Sequence, residues 1–106
     1  MIMERQIFLK LALDNQVSKA AEKKLSDHYE IVAKAGDKSD EDWIEEAIDS
    51  DANVFISPDY DIPSYLERYY DGVGVYWISL PQGIRGIEQF DYLYKKLKAL
   101  QSRINK

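Results

Sequence analysis

The residues of this 106-residue chain that are best suited to chemistry are aspartates at the borders of short apolar runs. Asp14 directly follows one such run, Asp59 and Asp61 follow another, and the group Asp40-Glu41-Asp42 opens an amphipathic segment between them. Carboxylates that are held close together repel one another unless protons or cations neutralise them. Mg²⁺ and Mn²⁺ are hard ions that prefer carboxylate oxygen and water as ligands. The pattern indicates a divalent-cation site if the fold brings these segments together.

Each of these acids also has a purely structural interpretation. Asp40, with the two acids that follow it, could simply favour the positive end of a helix dipole, which is worth up to about 1 kcal/mol per residue. Asp59 and Asp61 could form turns or cap the next helix, and Asp14 could be an N-cap. The functional interpretation therefore depends on whether the acids converge in the fold.

Four short apolar runs alternate with four amphipathic segments along the sequence. The runs predict strands over residues 7–13, 29–33, 53–57 and 72–78. The amphipathic segments predict helices over residues 17–25, after the N-cap Ser39, from Pro63 to about Tyr70, and after the turn at residues 81–83. Regular alternation with nearly continuous apolar strands predicts a parallel sheet with helices on both faces. We expect residues 1–106 to form one three-layer α/β/α domain with a mainly parallel four-stranded sheet in the order 2-1-3-4.

This topology would bring the acids to one edge of the sheet. In open α/β sheets, ligands bind beyond the carboxyl ends of the strands, near the point where the strand order reverses. The first predicted strand delivers Asp14 to that edge, and the third delivers Asp59 and Asp61. The helix that carries Asp40 begins at the same edge, so three chain segments each contribute carboxylates there.

Composition and charge limit the classes of function. The chain has 14 Lys and Arg residues against 19 Asp and Glu residues, and its net charge of −5 does not favour nucleic-acid binding by bulk electrostatics. The bases concentrate near the end of the chain, where Lys95, Lys96 and Lys98 could contact a phosphate backbone. The absence of cysteine excludes thiol chemistry and Cys-based zinc sites. No apolar run approaches the ~20 residues of a membrane span, and no signal-peptide pattern is present, which predicts a cytoplasmic protein without a membrane partner.

Three segments carry a resemblance to the PIN-domain nucleases. Residues 11–17, an apolar run ending in Asp14, are similar to the first strand and catalytic aspartate of that family. Residues 39–47 resemble its acidic helix start, and residues 54–62 are similar to its late strand, which ends in Thr/Ser-x-Asp-x-Asp-Phe. The resemblance spans most of the chain and is closest to compact PIN-like proteins of about this length.

The resemblance implies a metal-dependent ribonuclease that hydrolyses RNA phosphodiester bonds. It implies that Asp14, Asp40 and Asp59 are the catalytic residues, that they bind Mg²⁺ or Mn²⁺ together with Asp61, and that Ser57 supports them by hydrogen bonding. Some PIN relatives are toxins of toxin–antitoxin pairs, so single-stranded or structured RNA and an antitoxin protein are the implied partners. Small PIN-like proteins commonly dimerise, which implies a homodimer.

The sequence also departs from the PIN pattern, and the departures support an alternative function. Larger PIN nucleases have another acid on an early helix, for which Glu22 is a poor substitute because its spacing from Asp14 differs. Asn15-Gln16 and Pro58 stand at positions where other residues are more usual. The alternative is a catalytically degenerate PIN-like module that serves binding or oligomerisation.

The remaining candidate residues each allow two interpretations. His28 is the single histidine, so a catalytic triad would depend on it, whereas a structural position near a strand is the alternative. Arg85, between Gly83 and Gly86, could hold a phosphate or simply form the loop that enters the last helix. An aromatic group could belong to the core or to an interface: Tyr65, Tyr69, Tyr70, Tyr76 and Trp77.

Overall fold

The computed structural model describes residues 8–69 and 74–105, in which strands and helices alternate. The elements are β1 (Lys10–Leu13), α1 (Lys19–Leu25), β2 (Glu30–Lys34), α2 (Asp40–Asp49), β3 (Val54–Ser57), α3 (Ile62–Tyr69), β4 (Tyr76–Ser79) and α4 (Ile87–Ile104). The four strands form one sheet in the order β2-β1-β3-β4, and all neighbouring pairs are parallel. The predicted α/β class, strand order and parallel pairing are confirmed. Among the described residues, no helix combines the length and apolar character needed to cross a membrane.

The central strands are apolar on both sides because helices cover both faces of the sheet. On one face, Leu11, Leu13 and Ile56 pack with apolar residues of α1 and α4. On the other face, Ala12 and Phe55 pack with apolar residues of α2 and α3. Every residue of β3 is buried, as expected for a strand between two helical layers.

Serine caps fix where the first two helices begin. The Ser18 hydroxyl accepts a hydrogen bond from the Ala21 N–H (3.1 Å), so α1 begins at Lys19. The Ser39 hydroxyl accepts one from the Asp42 N–H (3.2 Å), so α2 begins with Asp40. Each cap satisfies a backbone donor that has no partner inside its own helix.

β1 and β4 begin several residues later than predicted. β1 begins at Lys10, and Phe8, which the prediction included in the strand, is 72% exposed. β4 begins at Tyr76, and Gly74 has a φ of +81°, a left-handed conformation that does not continue a strand. Leu9 and Val75 are described but precede the two strands, whereas Ile7 and residues 72–73 lie outside the described residues.

Candidate functional site

The four predicted aspartates lie on three chain segments at the carboxyl edge of the sheet. Asp14 follows β1, and its N–H donates to the Ile56 carbonyl (3.0 Å), which extends the β1–β3 pairing by one residue. Asp59 and Asp61 lie on the loop that follows β3, and Asp40 is the first residue of α2. Parallel pairing therefore brings the ends of β1 and β3 side by side, as the sequence predicts.

A buried serine connects the β1 and β3 segments. Ser57 is fully buried, and its hydroxyl donates to Asp14 Oδ2 (3.0 Å) while accepting a hydrogen bond from the Asp59 N–H (3.1 Å). The other carboxylate oxygen of Asp14, Oδ1, accepts from the Gln16 N–H (2.9 Å). Both oxygens of Asp14 are thus hydrogen-bonded, which fixes the orientation of its carboxylate.

The loop after β3 is shaped by its own acids. Asp59 Oδ1 accepts a hydrogen bond from the Asp61 N–H (2.8 Å), an Asx turn of the kind that aspartate forms with the backbone two residues on. The Asp61 side chain is exposed, whereas Asp59 is partly buried. Asp59 therefore does form a turn, as its structural interpretation predicts, and Oδ1 of its carboxylate is hydrogen-bonded within the loop.

The other acids of the edge influence Asp40 electrostatically. The pKa of Asp40 is raised to about 6, first by a hydrogen bond with the carboxyl group of Asp59 and next by burial. The negative charges of Asp59, Asp14 and Asp61 raise it further. The other three acids thus act on Asp40, and protonation of Asp40 relieves part of this repulsion.

The donor set suits a hard divalent cation, although the described side chains are not gathered into a full ligand set. Within residues 8–69 and 74–105, no group of three or more His, Asp or Glu side chains is arranged to hold a metal ion. Asp40 and Asp59 nevertheless share a hydrogen bond, so two carboxyl groups already meet where a proton offsets their repulsion. A Mg²⁺ or Mn²⁺ ion would offset it in the same way through carboxylate oxygen, and the residues present fit the ion in this chemical sense.

Glu22 lies closer to this site than its sequence spacing indicates. Glu22 Oε2 forms an ion pair with Lys34 Nζ (3.2 Å), and both residues line a cavity of about 230 Å³ together with Asp14. The orientation of α1 brings Glu22 to the end of β2, and the spacing of residues in the sequence does not predict this proximity. The neighbouring lysine balances the charge of Glu22.

Two aromatic residues support the loop after β3. The indole N–H of Trp77, on β4, donates to the Ser57 carbonyl (3.0 Å). The Tyr60 ring lies edge-on to Trp77, with 5.8 Å between ring centroids, and is 79% exposed. Trp77 belongs to the aromatic group that the sequence predicts, whereas Tyr60 does not; the signal for Tyr60 is its position between Asp59 and Asp61.

Two further candidate residues, His28 and Lys96, make aromatic contacts with residues of α4. The exposed His28 ring lies 4.8 Å from the Tyr94 ring and 5.9 Å from the Phe90 ring, which agrees with its structural interpretation. Lys96 lies over the ring of Tyr92, with 5.5 Å from its Nζ to the centroid.

Comparison of the chain with protein-family models, curated proteins and solved structures gives no match.

Proposed function

We propose that this chain is a PIN-like ribonuclease that hydrolyses RNA phosphodiester bonds with Mg²⁺ or Mn²⁺ bound by Asp14, Asp40, Asp59 and Asp61. One observation carries the proposal: acids from three chain segments lie at the carboxyl edge of a parallel sheet, where Asp14, Asp59 and Asp61 raise the pKa of Asp40, and the buried Ser57 hydroxyl is hydrogen-bonded to two of those segments. This edge is where α/β sheets bind ligands.

The chain's own residues would prepare the site for hydrolysis. A bound divalent ion supplies Lewis acidity toward the phosphate and lowers the pKa of a coordinated water. Asp14 is held by Ser57 and by the Gln16 N–H, so it offers a preoriented carboxylate at no further ordering cost. The pKa of Asp40 is raised to about 6, so a cation bound there would displace any proton on this carboxyl group, and cation binding and proton release would be parts of one equilibrium.

The surroundings of the acids favour a single-stranded region of RNA as the substrate. Tyr60 is highly exposed on the same loop as Asp59 and Asp61, and an exposed aromatic ring can stack on an unpaired base. With a net charge of −5, the chain cannot rely on diffuse electrostatics to hold a polyanion. Local contacts of this kind are therefore required.

The direct test is cleavage of a labelled single-stranded RNA by the purified protein with Mn²⁺, with Mg²⁺ and with EDTA. We expect cleavage only with the metals, and we expect Asp14→Asn and Asp59→Asn each to reduce the rate at least about 100-fold. Asp49→Asn is the matched control, because it removes the same charge from the exposed last residue of α2 and should cleave like wild type. Cleavage that is unchanged in the Asp14 and Asp59 variants would reject the mechanism.

The resemblance to toxin ribonucleases extends the proposal to cells. Expression of the wild-type chain in a bacterial host should arrest growth, and Asp14→Asn should abolish the arrest at equal protein level. A cognate antitoxin protein would relieve the arrest by binding the chain. Equal growth of cells that express wild type and cells that express Asp14→Asn would reject the toxin role. The cleavage assay would then decide the activity.

A second candidate is a catalytically inactive PIN-like module for binding or self-association. Two observations favour it: no full set of metal ligands is assembled among the described residues, and the edge strand β4 carries the partly buried Tyr76 and Trp77. Titration with Mn²⁺ and light scattering discriminate the two functions. A dimer that binds no Mn²⁺ up to millimolar concentration supports the module, whereas binding that Asp14→Asn abolishes supports the ribonuclease.

A further inference from the structure

We propose that a cavity beside the acidic edge is a substrate subsite that holds one nucleotide of a single-stranded RNA, with Arg85 bound to its phosphate. This inference rests on the proposed function, because it assigns the part of the chain that holds the substrate next to the carboxylates.

The cavity has a volume of about 620 Å³ and lies beyond the ends of β1, β3 and β4. Its lining includes Gln16, Pro58, Leu80, Gln82, Arg85 and Gln89. Sites for small organic ligands typically measure about 300–1,000 Å³, so the cavity is large enough for a base, its ribose and one phosphate.

The cavity shares a wall with the acidic edge. Gln16 lines the cavity, and its backbone N–H donates to Asp14 Oδ1 (2.9 Å). Pro58 also lines the cavity and lies between Ser57 and Asp59 in the chain. A nucleotide in the cavity would therefore leave the next phosphate of the strand beside the carboxylates.

Arg85 gives the cavity a single positive charge. It is the one charged residue of the lining, its side chain is exposed, and neither ion pair found among residues 8–69 and 74–105 involves it. The planar guanidinium presents paired donors that match a phosphate. In an acidic protein, an arginine outside both of these ion pairs, in a cavity that Gln16 and Pro58 join to the acidic edge, is suited to drawing a polyanion to a site that otherwise repels it.

The rest of the lining suits a nucleobase. Gln16 and Gln82 are exposed, and each side-chain amide can donate to and accept from a base edge. The partly exposed Pro58 and Pro81 offer apolar surface for the face of the base. The lining therefore combines apolar contact with a few polar groups, as ligand sites generally do.

The floor of the cavity is preformed by Gln89. This buried residue of α4 accepts from the Ser18 N–H through Oε1 (2.7 Å) and donates through Nε2 to the Gln16 carbonyl (2.9 Å) and the Ile84 carbonyl (3.3 Å). These hydrogen bonds tie the loop after β1 and the loop before α4 to one side chain. A cavity that is already ordered costs less to occupy than one that must be built by the ligand.

The test measures binding of a fluorescein-labelled, eight-nucleotide single-stranded RNA by fluorescence anisotropy in EDTA, so that no metal contributes. We expect Arg85→Gln to weaken binding at least about tenfold, as the loss of a charge-assisted hydrogen bond does. Gln82→Trp, which fills the cavity from an exposed turn, should weaken it similarly. Arg103→Gln removes the same charge at the far end of α4, about 27 Å along the helix, and should bind within twofold of wild type.

The outcomes separate this subsite from the proposed activity. No binding in EDTA, or equal weakening by Arg85→Gln and Arg103→Gln, would overturn the subsite; thermal melts of each variant exclude misfolding as the cause. RNA that binds through Arg85 but is not cleaved with Mn²⁺ upholds the subsite and rejects the ribonuclease. Metal-dependent cleavage with full RNA binding by Arg85→Gln upholds the ribonuclease and rejects the subsite.

Discussion

Asp40 is the residue through which the acidic edge affects stability. Its pKa is raised to about 6 in the folded protein, chiefly through the hydrogen bond with Asp59. A raised carboxyl pKa means that the protonated form favours folding, and this contribution is lost as the pH rises through about 6. Metal-free protein should therefore lose about 1 kcal/mol of unfolding free energy from this group between pH 4.5 and 7.5, after discounting for solvent screening.

Thermal melts of Asp40→Asn isolate this contribution from the other titrating groups. The variant's melting temperature relative to wild type should rise by about 4 °C between pH 4.5 and pH 7.5, because asparagine carries no charge at either pH. Asp42→Asn removes an exposed acid from the same first turn of α2 and should be neutral or slightly destabilising, because an acid there favours the helix dipole. A constant difference between Asp40→Asn and wild type at both pH values would contradict the assigned cause.

Ser57 provides a second test with the opposite direction of effect. Ser57→Ala removes the hydrogen bonds to Asp14 and to the Asp59 N–H from a fully buried position. We expect the unfolding free energy to fall by about 1–3 kcal/mol, measured by urea denaturation. Ser26→Ala is the control, because its hydroxyl bonds the Lys23 carbonyl on an exposed turn and should change stability by less than about 0.5 kcal/mol.

The positions of the aspartates were predictable, whereas their partners were not. Asp14 and Asp59 each follow a short apolar run, and the carboxyl ends of parallel strands share one edge, so their convergence follows from local sequence and topology. The hydrogen bond from Ser57 to Asp14 spans 43 residues and depends on the register of β1 with β3. The sequence does not indicate that Glu22 and Tyr60 lie near this edge, because helix orientation and loop shape bring them there.

Among the helices and strands, α4 organises the edge through one residue. Gln89 lies on the buried side of α4 and hydrogen-bonds two loops, yet its sequence context is that of an ordinary amphipathic helix. Polar residues on a helix are usually solvated, so the pattern gives no signal for a buried glutamine. The apolar positions of the same helix, Phe90, Leu93, Leu97 and Leu100, were predictable from their spacing and are buried.

Replacement of Gln89 tests whether α4 fixes both loops. Gln89→Met keeps the length of the side chain but leaves the Ser18 N–H and the Gln16 carbonyl without this partner, and we expect a loss of about 2–3 kcal/mol in unfolding free energy by urea denaturation. Glu88→Gln, at the exposed neighbouring position, should stay within about 0.5 kcal/mol of wild type. Equal stability of Gln89→Met and wild type would show that water replaces these hydrogen bonds at little cost.

For the chain as a unit, topology was the most predictable property and the borders of the elements the least. Right-handed crossovers and short connections leave few strand orders for four alternating strand–helix pairs, and the order β2-β1-β3-β4 is one of them. The predicted start of β1 is too early, because apolar character alone does not indicate where strand pairing begins. Phe8 illustrates the difference, since it is apolar and adjacent to the sheet but largely exposed.

The most direct measurement is the melting temperature of wild type and Asp59→Asn at pH 7.5, each with EDTA and with saturating Mn²⁺. An ion that binds only the folded chain stabilises it by about 2.7 kcal/mol at a hundredfold excess over its dissociation constant, so wild type should melt several degrees higher with Mn²⁺. Asp59→Asn should melt at or above wild type in EDTA, because one repelling charge is gone, and should respond less to Mn²⁺. A wild type that ignores Mn²⁺, together with an Asp59→Asn variant that melts lower in EDTA, would show that these acids are turn and capping residues and that the metal site does not exist.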